Sequence, residues 1–375
     1  MHPPHFHILK FLLNRELRAV YLTLALRDLA LSMIGIFIPL YFIKILNYPI
    51  NKTLIFYLIY AVIFGITSPI TAKISSKIGF KKAIFLSIPF YIVFYYVLNS
   101  LKTTSIHFAI PAVLIGLADS IFWISLHTDF AKVSDRKHRG EEVGFMFYST
   151  IFVSLIGPFV GGLVLTLYNF TMLFWVVNIL LILCTIPLFF SKEIHEKAKF
   201  SYKYIFEKAH FSDLINFIAY GARLVAEGIL WPIFLFLILK TYVSLGFLIT
   251  ISSIIAIFSA YNFGKITDTK GKSLLLRLGA ILYSITWFIR PIFKTVFFVS
   301  LMTLISAILS VMVDIPFTTK TYEKGLKKNL VGYLVFREIA LCLGRALIII
   351  LVILVNSLTG GFIFTGLTTL FHLFF

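Results

Sequence analysis

Charge is scarce in this sequence, and acid is scarcer still. Charged residues make up 13% of the 375, with 16 Asp and Glu against 34 Lys and Arg. A soluble globular chain carries about 25% charged residues. The only two cysteines, Cys184 and Cys342, each sit inside an apolar run, and neither position suggests a disulfide. Strict alternation of apolar and polar residues is missing, which argues against a membrane β-barrel. Apolar residues instead reach 59%, and Phe alone contributes 41. Mean hydropathy is +0.97. A soluble chain of this composition would expose too much apolar surface to stay dispersed. Soluble, disordered and nucleic-acid-binding classes are excluded, and the net charge of +18 becomes a statement about membrane topology.

Apolar runs fall at roughly 19–43, 53–72, 82–100, 106–128, 143–167 and 170–190, and again at 214–239, 243–263, 274–291, 295–317, 330–355 and 358–375. Each is long enough for a bilayer-spanning helix of about 20 residues. The first is a full span without a small-residue cleavage signal, so no cleaved leader is expected. With the N-terminus inside, 24 Lys and Arg fall on cytoplasmic segments, 6 on the opposite side and 4 inside spans. That alternation predicts twelve spans with both termini cytoplasmic. The organisation expected is a six-span unit over 1–190, a cytoplasmic linker over 191–213 and a second six-span unit over 214–375. Phe200, Tyr204 and Phe211 suggest an amphipathic linker helix; a plain tether fits equally.

The two halves repeat. Gly35–Ile36–Phe37–Ile38–Pro39 in the first span returns as Gly228–Ile229–Leu230–Trp231–Pro232 in the seventh, 193 residues later. AKISSKIGFKK at 72–82 returns as GKITDTKGKS at 264–273, with Gly79 and Gly271 offset by 192. Parallel repeats of this kind are a transporter design that places the substrate site near the midplane, between the halves.

These two loops resemble the signature between the second and third helices of the major facilitator superfamily. The second copy keeps Gly264, Asp268 and Gly271; the first keeps Lys77, Gly79, Lys81 and Lys82 but has Ser76 where the family has Asp. The fifth span is similar to the family's helix 5 motif through Gly144, Gly157, Pro158, Gly161 and Gly162, with Val153 in place of one glycine. In the family that motif marks antiporters; as plain packing it is a seam of small residues. Arg139–Gly140 also opens the fifth span as in the family. The resemblance implies an all-α polytopic fold of two pseudo-symmetric six-helix bundles, with helices 1, 4, 7 and 10 lining a central cavity. It also implies that the loop acids help close a cytoplasmic gate.

Ionisable groups inside a membrane are costly and mark function by default. They are Arg27, Asp28, Asp119, Arg223, Glu227, Asp314, Arg337, Glu338 and Arg345. Asp28, Ser32, Gly35 and Pro39 share one helix face; so do Gly116, Asp119, Trp123 and His127, and Tyr220, Arg223, Glu227 and Trp231. The expected substrate and proton pathway is Arg27, Asp28, Asp119, Trp123, Arg223, Glu227, Trp231 and Arg345. Ser76, Lys77, Gly79, Asp268, Gly271, Asp314, Arg337 and Glu338 are expected at the cytoplasmic gate. Five acids against four arginines leave one acid without a cation, and such an acid in an apolar cavity can carry a proton. Glu227 is the first candidate, ahead of Asp28 and Asp119. Structural ion pairs between the halves are the rival explanation.

The expectation is a proton-coupled secondary transporter, monomeric and in the cell membrane. It would move a small molecule in contact with lipid, with no nucleic-acid partner, cofactor or metal. Antiport is one mode the fifth-span motif suggests. A membrane enzyme finds no nucleophile–base set here: His127 and Asp129 point about 200° apart on one helix. A transporter-fold receptor or lipid scrambler would be expected to lose the cavity charge that this chain keeps.

Overall fold

The computed structural model describes residues 15–134, 139–187, 211–267, 271–327 and 329–375. Among them every regular element is helical. Ten segments are long and apolar enough to cross a membrane: α1 (Leu22–Ile45), α2 (Ile50–Ile78), α3 (Phe80–Ser100), α4 (Ala109–Val133), α5 (Arg139–Leu167), α7 (Phe211–Leu239), α8 (Tyr242–Ile266), α9 (Lys272–Ile289), α10 (Val296–Leu326) and α11 (Leu330–Val355). Two shorter apolar helices, α6 (Phe170–Leu183) and α12 (Leu358–Phe374), complete the twelve. The chain is an integral, multi-pass, all-α membrane protein. Most of the expected linker lies outside the described residues, Phe200 and Tyr204 included. Its last three residues, from Phe211, belong to α7.

Several helices outrun their apolar cores. α2 has 29 residues and α10 has 31. At 1.5 Å per residue these are about 44 and 46 Å long, against a hydrocarbon thickness near 30 Å. The excess emerges on the face rich in Lys and Arg, called the basic face below. The stretch that reads as a polar loop at 72–82 is therefore mostly helix. Gly79 alone separates α2 from α3, at φ 103°, and Gly271 precedes α9 at φ 96°. A side chain at either φ meets its own backbone, so both repeats need glycine at the same place. On the opposite face, Asn169, Thr241 and Thr295 accept hydrogen bonds from backbone N–H groups in the first turns of α6, α8 and α10.

Proline distorts matching helices. α1 passes through a tight turn at Gly35–Phe37 and a wide one at Tyr41–Ile45, on either side of Pro39. α7 widens at Ala226–Leu230, just before Pro232. Pro39 and Pro232 are both buried, and the bends of α1 and α7 face each other.

Small residues set the distances between helices. A Cβ on Gly157 or Gly161 would overlap Ser32 or the Met33 carbonyl of α1. A Cβ on Gly144 would sit 2.8 Å from Gly264 Cα of α8, and one on Gly162 would lie 2.7 Å from the Tyr242 carbonyl. The helix 5 glycines therefore serve as a packing seam against α1 and α8. α2 packs along α11, and with the α5–α8 pair this joins the two halves. Ile66, Ile70, Phe258, Phe297 and Leu354 point outward, as a lipid-facing perimeter requires.

Candidate functional site

A cavity of about 610 Å³ lies between the halves. Binding sites for small molecules commonly span about 300–1,000 Å³. Its wall includes Arg27, Asp28, Asp119, Trp123, His127, Asp314, Arg337, Glu338 and Arg345, together with Tyr57, Tyr60, Tyr91, Tyr95 and Tyr220. Most of the charged residues expected from sequence thus meet in one place. Arg223, Glu227 and Trp231, also expected on the pathway, are not part of this wall.

The charges form two clusters of the same design. In the first half, Arg27 is 2% exposed, and its Nη1 and Nη2 reach Asp28 and Asp119 at 3.1 Å each. Tyr91 of α3 donates to Asp119 and accepts from Arg27, and Tyr60 of α2 donates to the other Asp119 oxygen at 2.8 Å. Phe122 lies under the guanidinium at 3.7 Å. In the second half, Arg223 is wholly buried, pairs with Glu227 at 3.4 Å and also with Asp314. Tyr283 of α9 donates to Glu227. Each cluster joins an arginine and an acid on helix 1 or 7, an acid on helix 4 or 10, and a tyrosine on helix 3 or 9. Tyr91 and Tyr283 are 192 residues apart, the interval of the repeat. That interval was the available signal for both tyrosines, which sequence reasoning missed.

The ion count changes accordingly. One arginine holds two acids in each half, and Arg337 pairs with Glu338. Every carboxylate of the five has an arginine, so no acid stands without a cation. A further buried arginine also enters: Arg290 reads as a loop residue at the end of an apolar run. It is 1% exposed, stacks on Trp287 at 3.6 Å and Trp231 at 4.6 Å, and donates to Ser306. The single-excess-acid arithmetic does not survive. Trp231 is occupied by this stack and by its bond to Thr303 at 3.2 Å, which removes it from the cavity wall.

Residues expected at the gate divide. Asp314 lies 12 residues before the end of α10 and Asp119 lies 14 before the end of α4, about 18 and 21 Å from the basic ends of those helices. Asp314 pairs with Arg223 and lines the cavity between the halves. Ser76 spends its hydroxyl on the Lys73 carbonyl of its own helix at 3.0 Å, not on a helix of the other half, and Lys77 is exposed. Asp268 lies outside the described residues. Among the described residues, one contact that joins the halves on the basic side is His127 Nδ1 with the Tyr322 hydroxyl at 2.6 Å, backed by Phe130. Sequence places His127 on the face of Asp119 and Trp123 but marks nothing at Tyr322, 195 residues away. On the opposite side Asn51 meets Asn356 at 3.4 Å, and the rings of Phe37 and Tyr242 lie 6.0 Å apart.

The sequence model of the family described as Major Facilitator Superfamily matches residues 20–348. A curated relative, "Uncharacterized protein YqgE" of Bacillus subtilis (strain 168), is 25% identical over 285 residues. The alignment covers 70% of this chain and 64% of that protein's length. Among solved structures, the human organic anion transporter MFSD10 (TETRAN) superposes with a TM-score of 0.72 at 12% identity, covering 100% of this chain and 99% of the other. An outward-facing bacterial homologue of the iron transporter ferroportin gives 0.69 at 12% identity and 96% coverage of both chains. At such identities the likeness is one of fold.

Proposed function

Because the chain belongs to the Major Facilitator Superfamily, a family of membrane transporters, we propose that it is a proton-coupled secondary transporter that works by alternating access. It would carry a small molecule through the cavity between the halves, with the basic face in the cytoplasm and both termini inside, in the cell membrane. One observation carries the proton reading: in each half a single guanidinium serves two carboxylates at membrane depth. Two carboxylates around one cation repel each other. One of them can take up and release a proton while the arginine keeps the other. Asp28 and Glu227, at 26% and 28% exposed, are the more accessible members, against 14% for Asp119 and Asp314. The proton site is therefore proposed at Asp28 and Glu227. Rocking of one half against the other would break the His127–Tyr322 contact and the Asn51–Asn356 contact in turn. Exchange and cotransport both fit this scheme.

The test uses proteoliposomes loaded with a pH-sensitive dye and a ligand found by stabilisation screening at several pH values. Ligand addition should move protons with the wild-type protein. Asp28→Asn or Glu227→Gln, which keep shape and hydrogen bonding, should still bind ligand but abolish that movement. Unchanged proton movement in both variants would refute the coupling scheme.

A further inference from the structure

Arg345 of α11 is the charged residue of the cavity wall that, among the described residues, has no carboxylate in contact; Glu338 and Asp119 attract it only from beyond ion-pair distance. Its side chain is 9% exposed and lines the cavity between the halves. Among the described residues no carboxylate lies within 4 Å of it. Its contacts are weak: the Tyr60 hydroxyl at 3.4 Å, the Cys342 sulfur at 3.7 Å and the face of Phe64 at 5.0 Å. Every acid on the same wall already has an arginine. A desolvated guanidinium without an anion is costly unless something supplies one.

The repeat sharpens the contrast. Matching features of the two halves lie 192 to 199 residues apart, from Tyr91 and Tyr283 to Asp28 and Glu227. At those distances before Arg345 stand residues 146–153, none of them charged. The paired clusters are shared by both halves, as a common coupling device would be. Arg345 belongs to one half only, as the recognition of an asymmetric solute requires.

We infer that Arg345 is the binding site for an organic anion whose carboxylate or similar head meets the guanidinium, while its apolar body lies along the aromatic wall of Tyr57, Tyr60 and Trp123. A guanidinium offers a planar fork that matches a carboxylate. The aromatic wall suits a flat hydrocarbon body. The assignment rests on the transporter reading for its purpose but not for its measurement.

The experiment measures equilibrium binding to the purified full chain in detergent, by titration calorimetry and by thermal shift. The probes are naphthoate, neutral naphthamide and cationic naphthyl-trimethylammonium, which share one ring system and differ in head charge. Naphthoate should bind at least about tenfold more tightly than the other two. Arg345→Gln should weaken naphthoate by about 10- to 100-fold, and Arg345→Lys, which keeps the charge without the fork, by less. If Arg345→Gln does not fold, the probe series on the wild-type protein still decides. The inference is overturned if the amide or the ammonium binds as well as the acid, if none of the three binds, or if a folded Arg345→Gln keeps its naphthoate affinity. No gradient enters the measurement. Loss of proton coupling with intact anion binding sinks the transport scheme alone; cation preference with intact coupling sinks this assignment alone.

Discussion

Replacing Arg27 by Leu should destabilise the protein through the two carboxylates it leaves behind. The guanidinium meets Asp28 and Asp119 at 3.1 Å each. At an effective dielectric of about 20, each contact is worth about 5 kcal/mol of Coulomb attraction. Desolvation of the three groups and repulsion between the two acids offset most of that. Removing one partner of a buried pair typically costs about 3–5 kcal/mol, because the remaining charge is stranded. Two charges are stranded here, so the upper part of that range is expected, which lowers the unfolding midpoint by on the order of 10 °C. Thermal unfolding of purified protein, followed by retention of monodisperse protein after heating, measures it. The informative variant is the triple Arg27→Leu, Asp28→Asn, Asp119→Asn. It removes all three charges, keeps side-chain volume near native, and should recover most of the loss. Arg27→Lys should fall between, since an ammonium cannot bridge both acids and lie over Phe122 at 3.7 Å. A loss under 1 kcal/mol on the order of RT for Arg27→Leu, or no recovery in the triple variant, would show that the cluster is solvated and that its charges do not hold helices 1 and 4 together.

Three further outcomes follow from the geometry. Gly271→Ala should cost about 1–3 kcal/mol by backbone strain alone, because φ is 96° and an added Cβ meets nothing within 4 Å; an unchanged unfolding midpoint would contradict the turn geometry. Gly161→Leu should prevent assembly or strongly destabilise the protein, since even a Cβ there overlaps the Met33 carbonyl, and wild-type yield and midpoint would contradict close packing of α5 on α1. Tyr322→Phe should shift the protein towards states open on the basic face by about three- to tenfold, through loss of the bond to His127, whereas Ser76→Ala, which loses only a bond within its own helix, should not. Distance measurements between labels on the basic ends of α2 and α10 read both, and equal behaviour of the two variants would remove the His127–Tyr322 contact from the gate.

The sequence by itself determined the environment and the architecture. A chain this apolar cannot fold in water, and helices are the only spanning element that its runs allow. The alternation of Lys and Arg fixed the expected spans, and the paired Gly–Pro and loop motifs exposed the repeat. Charges inside the runs could be named one by one, because each is conspicuous against an apolar background. Tertiary structure decided what those charges do. Pairing depends on helices that meet across long separations, 92 residues for Arg27 with Asp119 and 91 for Arg223 with Asp314. A count of acids against arginines cannot foresee one guanidinium serving two carboxylates. Nor can it see Arg290, whose place at the end of an apolar run hides its burial between two tryptophans. Tyr91 and Tyr283 are two among 18 tyrosines and gain meaning only where their hydroxyls arrive. Arg345 was visible from the start as a charge in a span. That it alone on the cavity wall has no carboxylate beside it, among the described residues, is a property of the packed helices, because a counter-ion is a neighbour in space.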